Sequence, residues 1–239
     1  MNEIITKQEI NVNNQKILLW GPKSNKVIIA VHGSGSNKED TVICLLANVA
    51  IVKGYQVISF DLPEHGARKN DKSILCKVQN CVPELINVMS YAKNNYEKIS
   101  VFGCSIGAYF SLLAFKDDSI NQCFFLSPIV NMLELIEQMM MWANVNEDIL
   151  KKKKVIPTNF GQTLYFDYYE YVKRHSIDSW NKNTFILYGN KDNLQSFKQI
   201  NSFVKLSNAK LDVLEKGEHY FHTEEQLEFY KKWLLNNID

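Results

Sequence analysis

Short apolar runs, rich in β-branched and aromatic residues, alternate along this chain with segments of helical spacing, and this alternation constrains the fold most. The runs lie at 26–31, 56–60, 98–102, 123–126, 184–188 and 210–214. Runs of this length and composition are typical of strands buried in a parallel sheet. Because helical segments separate them, the sequence predicts an α/β fold in which helices cover both faces of a mostly parallel sheet.

Two more strands are predicted at the start of the chain, which brings the sheet to eight strands. The segments from Ile4 to Val12 and from Lys16 to Trp20 have strand-like composition and flank Asn13-Asn14. Two strands separated by a short asparagine turn predict a β-hairpin.

Two predicted helices have residues near their N-termini that are typical of helix starts. Pro83 suits the first turn of a helix that we expect to end near Asn94, because a first turn leaves its N–H groups unpaired and proline has none to lose. Thr223 and Gln226 have the spacing of a capping box. The last helix is therefore predicted to begin near Thr223.

One stretch, 129–180, does not continue the alternation of strands and helices. It contains a predicted helix at 130–143 that is rich in Met and Leu, a basic run at 151–154, and an aromatic cluster at 165–171. We interpret this stretch as an insertion between two core strands of a single domain that spans 1–239.

Charge and composition argue against several classes of function. The chain has 239 residues and a formal net charge of +1, which gives no strong field to attract nucleic acid or an anionic membrane. No apolar run reaches the roughly 18–20 residues of a membrane span, and the N-terminus lacks the features of a signal peptide. We therefore expect a cytoplasmic monomer or homodimer that binds no nucleic acid and no membrane.

The five cysteines predict reduced thiols. Their number is odd, no Cys-x-x-Cys pair occurs, and no histidine cluster lies near them. This pattern favours buried thiols in a cytosolic protein over disulfides or a metal site.

The segment Gly103-Cys-Ser-Ile-Gly107 matches the pattern Gly-x-Ser-x-Gly. It follows the predicted strand at 98–102 and opens a predicted helix at 106–115. The motif requires this context, because a sharp strand-to-helix turn lifts the serine hydroxyl clear of the backbone. The helix N-terminus then presents free N–H groups to a developing anion. Ser105 is therefore the candidate nucleophile, and the alternative is a serine that caps a helix in a tight turn.

With this motif in this position, the chain resembles the α/β-hydrolase superfamily over nearly its whole length. The resemblance implies a nucleophile, an acid and a base in that chain order, each beyond the C-terminal end of a strand. It also implies that 129–180 forms a small helical lid, similar to that of small intracellular esterases and of cinnamoyl-type esterases. A serine rather than an aspartate in the motif implies acyl-enzyme chemistry on esters, thioesters or amides.

A serine hydroxyl needs a base within hydrogen-bond reach, and imidazole has a suitable pKa. Two of the five histidines, His219 and His222, follow the last predicted strand. His219 follows Gly217 with the spacing of the family, whereas His222 directly precedes the predicted helix cap Thr223. The resemblance therefore implies that His219 is the base.

The acid is expected beyond the preceding strand, 184–188. Asp192 ends the segment Gly189-Asn-Lys-Asp192, which resembles the acid loop of the family. A buried carboxylate there would fix the tautomer of the imidazole and stabilise the imidazolium. Asp212 is the competing carboxylate, but it lies inside a predicted strand. The alternative role for Asp192 is that of an ordinary turn residue.

The loop at 32–36, His-Gly-Ser-Gly-Ser, is the candidate for one side of an oxyanion hole. Two backbone N–H groups normally meet the tetrahedral oxyanion, and one belongs to the residue after the nucleophile, Ile106. The loop resembles the His-Gly-x-Gly segment of the family, which implies Ser34 as the second donor and His32 as a structural anchor. The loop lacks the spacing of phosphate-binding motifs.

The segment 60–66, Phe-Asp-Leu-Pro-Glu-His-Gly, resembles a further loop of the family. We assign Asp61 and His65 structural or pocket-edge roles. Glu64 stands where the family usually has glycine, which leaves the shape of this loop open.

The leading functional hypothesis is a carboxylesterase that acts on a small or medium acyl ester and needs no cofactor or metal. Four residues of the insertion, Met139, Trp142, Tyr165 and Tyr168, are candidates for the acyl pocket. The alternative is that these side chains only pack the insertion onto the core.

Two other functions stay open on the sequence alone. The chain also resembles serine aminopeptidase-like members of the superfamily, and a peptidase of that kind would hold the amine of its substrate with an acidic group. Glu134, Glu137 and Asp167 of the insertion are candidates for that group. A non-catalytic ligand-binding protein with the same fold is the third possibility, because fold does not determine function.

Overall fold

The computed structural model describes residues 6–239, so the predicted start of the first strand at Ile4 lies outside the described residues. Within that range the predicted sheet is confirmed, because eight strands form one sheet. These strands are β1 Lys7–Val12, β2 Gln15–Trp20, β3 Lys26–Val31, β4 Gln56–Phe60, β5 Lys98–Cys104, β6 Cys123–Leu126, β9 Thr184–Gly189 and β10 Lys210–Leu214. They lie side by side in the order β1-β2-β4-β3-β5-β6-β9-β10.

The sheet is parallel except at one edge. β1 pairs antiparallel with β2, and β2 pairs antiparallel with β4. Every other pairing in this sheet, from β4 through to β10, is parallel. Parallel strands need crossover connections, and the helical segments seen in the sequence supply them.

Helices cover both faces of the sheet, as predicted. The helices are α1 Thr41–Val52, α2 Val78–Asn95, α3 Ile106–Ala114, α4 Met132–Trp142, α5 Glu147–Lys153, α6 Phe166–Arg174, α7 Phe197–Ser207 and α8 Glu224–Asn237. Buried residues of α1 and α8 form one core cluster with alternate residues of the strands. The other strand residues face α2, α3, α4, α6 and α7 in a second cluster. Because successive side chains of a strand point to opposite faces of the sheet, the same strands supply apolar residues to both clusters.

The hairpin turn follows from its two asparagines. Asn13 and Asn14 have φ of +49° and +67°, and Val12 pairs with Gln15 across the two-residue loop. A loop with positive φ at both positions matches the right-handed twist of the strands it joins, and asparagine tolerates that backbone better than most residues.

The start of α2 differs from the prediction. The helix begins at Val78, so Pro83 lies inside it rather than in its first turn. Buried Val78 and Cys81 extend the apolar stripe of the helix toward its N-terminus, and their packing outweighs the one backbone hydrogen bond that proline removes. The capping box at Thr223 is confirmed, with both of its hydrogen bonds to Gln226 present.

The 129–180 segment lies between β6 and β9 along the chain and holds α4, α5 and α6. It also contains a two-stranded sheet that pairs β7 Val155–Pro157 with β8 Thr163–Tyr165. Helices α4 and α6 contact each other, and α6 also contacts α2 of the core. Among residues 6–239, no helix combines the length and apolar character needed to cross a membrane.

Candidate active site

The turn between β5 and α3 holds Ser105 in a strained conformation. Ser105 has φ +52° and ψ −117°, a backbone that side-chain-bearing residues rarely adopt. Close packing requires glycine on both sides of it. A Cβ on Gly103 would lie 2.6 Å from the Cα atom of Ala108, and a Cβ on Gly107 would lie 2.4 Å from the carbonyl oxygen of Val31. The motif glycines therefore allow α3 to start directly against β3 and β5.

The three residues proposed as nucleophile, base and acid lie in one hydrogen-bonded row. His219 Nε2 lies 2.8 Å from Ser105 Oγ, and His219 Nδ1 lies 2.7 Å from Asp192 Oδ2. Each residue follows the C-terminal end of a parallel strand, namely β5, β9 or β10. With Nδ1 protonated toward the carboxylate, Nε2 is left as an acceptor for the serine proton.

Asp192 is fully buried at the side chain, and backbone groups hold it. Its Oδ1 accepts hydrogen bonds from the N–H groups of Leu194 at 2.8 Å and Gln195 at 3.0 Å. This leaves Oδ2 for the imidazole. The loop before Asp192 is tied to the loop before His219, because the Lys191 N–H donates to the Gly217 carbonyl at 2.8 Å. The acid and the base are thus positioned as one unit.

His222 and Asp212, the alternatives to His219 and Asp192, lie outside the hydrogen-bonded row of Ser105, His219 and Asp192. The side chain of His222 is 46% exposed, and its ring stacks on Tyr220. Asp212 Oδ2 accepts a hydrogen bond from the indole nitrogen of Trp233 at 3.0 Å, which gives this carboxylate a structural partner. Neither residue contacts Ser105 among the hydrogen bonds of the described chain.

Ser34 and Ile106 line the same cavity as Ser105. Ile106 is the first residue of α3, and N–H groups of a first helical turn have no intrahelical acceptor. The loop of Ser34 passes close to Ser105, since a Cβ on Gly33 would lie 3.4 Å from the Ser105 Cβ. The backbones of Ser34 and Ile106 thus both lie close to Ser105, and the role of their N–H groups stays a prediction.

His32 joins the loops that follow β3 and β4. It is fully buried, its Nε2 accepts from the Leu62 N–H at 3.0 Å, and its Nδ1 lies 2.8 Å from the Gly33 carbonyl. Burial lowers the pKa of His32 from 6.5 to about 4. The imidazole is therefore neutral at neutral pH and acts as a linker between the two loops.

The loop at 60–66 keeps a glycine-like backbone in spite of Glu64. Glu64 has φ +61°, the left-handed conformation in which glycine is usual. Its carboxylate holds the loop, because it accepts from the Cys76 N–H at 2.9 Å and pairs with Lys72 at 3.1 Å. Asp61 is buried and accepts from the N–H groups of Lys38 and Ala67. Glu64 and His65 line the cavity beside Ser105, and Asp61 braces the loop behind them.

A cavity of about 530 Å³ opens beside Ser105 between the sheet edge and the 129–180 segment. Its apolar wall includes one face of α4 with the spacing i, i+3, i+4, i+7, from Met132 to Met139. Leu135 and Ile136 of this face were not predicted to line the pocket, although helical spacing would have revealed them. The apolar lining residues are Ile106, Ile129, Met132, Leu135, Ile136, Met139, Leu164 and Leu194.

Three of the four residues proposed for the acyl pocket line this cavity, namely Met139, Tyr165 and Tyr168. Trp142 is not among the described residues that line it. Its side chain is 53% exposed and packs edge-on against Phe160 at a ring distance of 5.8 Å. Trp142 ends α4, beyond the stretch of helix that faces the cavity. The assignment of Trp142 to the pocket is therefore corrected.

The acidic residues proposed to hold an amine also lie outside this cavity. Asp167 pairs with Lys77 at 2.5 Å, and Glu137 contacts the Tyr169 hydroxyl at 3.4 Å. Glu134 borders a different cavity. Among the described residues, Glu64 is the only carboxylate in the cavity wall, and Lys72 already neutralises it.

All five cysteines are free thiols. Over residues 6–239, no three His, Cys, Asp or Glu side chains are grouped so that they could hold a metal ion.

Neither a protein-family model nor a curated protein sequence matches the chain. Solved structures do match it over almost its whole length. Est1E from Butyrivibrio proteoclasticus, solved with ferulic acid bound, has 20% sequence identity and a TM-score of 0.75, and the match covers 97% of this chain and 99% of that one.

Two further solved structures give the same result. The mouse alpha/beta hydrolase domain-containing protein 10 has 14% identity, a TM-score of 0.76 and coverage of 98% of both chains. The Pyrococcus furiosus esterase Pf2001 has 17% identity, a TM-score of 0.70 and coverage of 97% of this chain and 89% of that one. Together with the strand order, these likenesses show that the chain has the α/β-hydrolase fold.

Proposed function

We propose that this protein is a serine hydrolase that cleaves a small or medium carboxylic ester through an acyl-enzyme intermediate. The observation that carries the proposal is the continuous row from Ser105 Oγ through His219 to Asp192, with distances of 2.8 and 2.7 Å. A nucleophile, its base and an orienting carboxylate within hydrogen-bond reach are the requirements of this chemistry.

In the first half of the reaction, Ser105 Oγ attacks the carbonyl carbon of the ester while His219 Nε2 accepts the hydroxyl proton. The oxygen of the tetrahedral intermediate carries the negative charge and accepts hydrogen bonds from the N–H groups of Ser34 and Ile106. The intermediate then collapses as the bond to the alcohol oxygen breaks. His219 returns its proton to that oxygen, and the acyl group stays on Ser105.

In the second half, a water molecule attacks the acyl carbon and gives its proton to His219. The bond to Ser105 Oγ breaks, and His219 protonates this oxygen as the carboxylic acid leaves. Asp192 remains ionised throughout and stabilises the imidazolium in both halves. The buried position of Asp192, with two backbone donors on Oδ1, suits this role because it fixes the carboxylate toward Nδ1.

The lining of the cavity supports an ester with an apolar acyl group. The faces of α4 and β8 supply methionine, leucine and isoleucine side chains beside Ser105, and burial of each methylene of an acyl chain contributes about 0.8 kcal/mol. In this proposal the 129–180 segment acts as the lid that encloses the acyl group. The esterase names among the solved structures of the same fold agree with this class of reaction.

The experiment that tests the proposal is active-site labelling combined with an ester screen. We expect a fluorophosphonate probe to label the protein at Ser105 and p-nitrophenyl esters of two to eight carbons to be hydrolysed. Ser105→Ala should abolish both. A folded protein that neither reacts with the probe nor cleaves any ester would contradict the proposal and would favour a ligand-binding role.

An aminopeptidase is the less favoured reaction for this site. Such an enzyme binds the free amine of its substrate, and the carboxylates of Glu134, Glu137 and Asp167 lie outside the cavity beside Ser105. Aminoacyl anilides provide the test, because their turnover at a rate above that of the matched esters would reverse this preference.

A further inference from the structure

Two thiols lie next to each other at the wall of the cavity beside Ser105. Cys76 Sγ lies 3.8 Å from Cys81 Sγ, a distance at which one thiol can donate a weak hydrogen bond to the other. Cys76 is half-buried and lines the cavity, whereas Cys81 is fully buried in the core. The proposed hydrolase reaction uses neither sulfur, so this pair is reactive chemistry that the reaction leaves unused.

The two sulfur atoms are close enough for a small movement to join them. A disulfide requires an S–S distance of about 2.05 Å, so the atoms must approach each other. Cys76 lies in the loop before α2, two residues before Val78, and rotation of its side chain breaks no helical hydrogen bond. Cys81 is fixed within α2, where its N–H donates to the Lys77 carbonyl at 2.9 Å. The pair thus combines one adjustable sulfur with one fixed sulfur.

The surroundings of Cys76 favour its thiolate. The hydrogen bond from Cys81 lowers the pKa of Cys76, and His65 lowers it further against the opposing effect of burial. The nearby Glu64 carboxylate is paired with Lys72. Contact with Cys76 and burial together raise the pKa of Cys81. Because the thiolate is the form that attacks oxidants, Cys76 is the reactive member of the pair and Cys81 keeps its proton.

The other three cysteines do not share these features. Burial raises the pKa of Cys44, Cys104 and Cys123. Across residues 6–239, the only hydrogen-bond contact between two thiols is the one that joins Cys76 and Cys81. Oxidation of this chain is therefore expected to begin at Cys76.

We propose that Cys76 and Cys81 form a reversible redox pair that hydrogen peroxide oxidises to a disulfide. The Cys76 thiolate attacks one peroxide oxygen, so an S–O bond forms while the O–O bond breaks, and the departing oxygen takes a proton from solvent and leaves as water. The Cys81 sulfur then attacks the sulfur of the Cys76 sulfenic acid. The S–S bond forms, and the hydroxyl group leaves as water with the Cys81 proton. The two sulfurs lose the two electrons that the peroxide gains, and an excess of a small thiol reverses the change.

The disulfide would tie the cavity wall to the core. Its formation draws the Cys76 sulfur toward Cys81, which is not among the described residues that line the cavity. The Cys76 N–H donates to the Glu64 carboxylate at 2.9 Å, so the same bond links the loop of Glu64 to α2. The redox chemistry itself does not depend on the proposed hydrolase activity.

The test is peptide mapping of the reduced, unsubstituted protein after treatment with hydrogen peroxide. Remaining thiols are blocked with N-ethylmaleimide, and trypsin then cuts after Lys77, which separates the two cysteines. We expect peptides 73–77 and 78–93 to be joined by a disulfide, in a protein that runs as a single chain on a denaturing gel without reductant. Dithiothreitol should restore both thiols.

Three variants separate the steps of the reaction. Cys81→Ser keeps an O–H donor toward Cys76 but cannot form the disulfide, so Cys76 should stop at the sulfenic acid, which dimedone captures. Cys76→Ser should leave Cys81 a free thiol under the same treatment. Cys44→Ser is the matched control, because Cys44 is also half-buried and its sulfur contacts the Glu39 carbonyl rather than a thiol. It should form the linked peptides as fast as the unsubstituted protein.

The relative rates give a quantitative expectation. In the unsubstituted protein the Cys76 thiol should disappear about tenfold or more faster than the Cys44 thiol at pH 7, because a larger fraction of Cys76 is thiolate. Equal rates of loss at the two positions would contradict the assignment of Cys76 as the reactive thiol.

Three further results would overturn the proposal. In the first, Cys76 and Cys81 both stay free at a peroxide dose that oxidises glutathione. In the second, Cys76 is converted to sulfinic acid and no linked peptides form. In the third, the linked peptides occur only in covalent dimers, which places the bond between two chains. Each result is read from the mass of the unsubstituted protein, so neither a misfolded variant nor a lack of ester hydrolysis affects it.

Discussion

At the scale of single residues, the site depends on how neighbouring residues fix the orientation of the Ser105 hydroxyl and of the His219 imidazole. The strained turn presents the hydroxyl to His219, and the burial of Asp192 gives the imidazole only one orientation in which both of its nitrogens are paired. In our proposal these groups act as a unit, so the loss of one makes the others ineffective.

This cooperation predicts non-additive losses of activity. Ser105→Ala and His219→Ala should each lower kcat for a p-nitrophenyl ester by about 10⁶, and Asp192→Asn by about 10⁴. The double variant of Ser105 and His219 should be no slower than either single variant. Steady-state kinetics on purified protein measures these values.

His222→Ala is the matched control for the base, because His222 lies three residues from His219 and its side chain is about half exposed. We expect its kcat to stay within about twofold of the unsubstituted value, the range usual for a surface change without a role in the reaction. A loss comparable to that of His219→Ala would exclude the proposed assignment of the base.

The proposed oxyanion hole predicts that the backbone of Ser34 matters and its side chain does not. Ser34→Pro removes the N–H, and loss of one donor should lower kcat by about 10²–10³. Ser34→Ala keeps the N–H and should leave kcat nearly unchanged. Equal kcat values for the two variants, with thermal unfolding showing that both are folded, would rule out this donor.

Single residues differ in how far the sequence could assign them. Ser105, Asp192 and His219 could be proposed because each follows a recognisable strand in a loop of characteristic composition. Trp142 could not be placed, because a bulky apolar residue at the end of a helix has the same composition signal whether it faces a cavity or solvent. Its 53% exposure depends on where α4 ends, which no local pattern determines.

At the scale of elements, α4 is the helix of the 129–180 segment that forms one wall of the cavity beside Ser105. Its residues at i, i+3, i+4 and i+7 face the cavity beside Ser105, and Met141 on its opposite side is 71% exposed. The composition of the segment predicted that it is helical. The orientation of the helix was not predictable, because it depends on contacts with α6 and β8, which are distant in sequence. The three-residue strands β7 and β8 are too short to give a periodic signal.

The orientation of α4 predicts which acyl groups the cavity admits. Met139→Trp adds volume to the wall and should shorten the space for the acyl chain. We expect the kcat/KM ratio of hexanoate to acetate esters to fall about tenfold or more, because a few methylenes of apolar contact are lost. Hydrolysis of p-nitrophenyl esters of increasing length measures this change.

Trp142→Ala is the control on the same helix, since it removes a large side chain that lies outside the cavity. Its chain-length profile should match that of the unsubstituted protein. If Trp142→Ala shifted the profile and Met139→Trp did not, the acyl group would have to bind elsewhere.

At the scale of the whole molecule, the sheet brings loops that are far apart in sequence to one edge. The loops after β3 and β4 are joined there by His32, and the loops after β9 and β10 are joined by the hydrogen bond from Lys191 to Gly217. The parallel sheet was predictable from the alternation of strands and helices. The cross-links between loops were not, because they depend on single hydrogen bonds between residues up to 30 positions apart.

The buried His32 predicts how the stability of the whole protein depends on pH. Above pH 6.5 the imidazole is neutral in both the folded and the unfolded chain and contributes no pH dependence. Burial lowers the pKa in the folded state to about 4, so between pH 6.5 and 4 only the unfolded chain binds the proton. The free energy of unfolding should therefore decrease as the pH is lowered from 6.5 to 4, and this group should account for about 3 kcal/mol of the decrease.

Urea unfolding at a series of pH values from 7.5 to 4 measures this dependence. His32→Gln removes the titrating group and keeps an acceptor for the Leu62 N–H, so its free energy of unfolding should fall less steeply than that of the unsubstituted protein. His175→Gln makes the same change at an exposed position and should follow the unsubstituted protein. If the curves for His32→Gln and the unsubstituted protein stay parallel from pH 6.5 to 4, His32 is not held neutral in the folded state. The linkage between the two loops would then rest on other contacts.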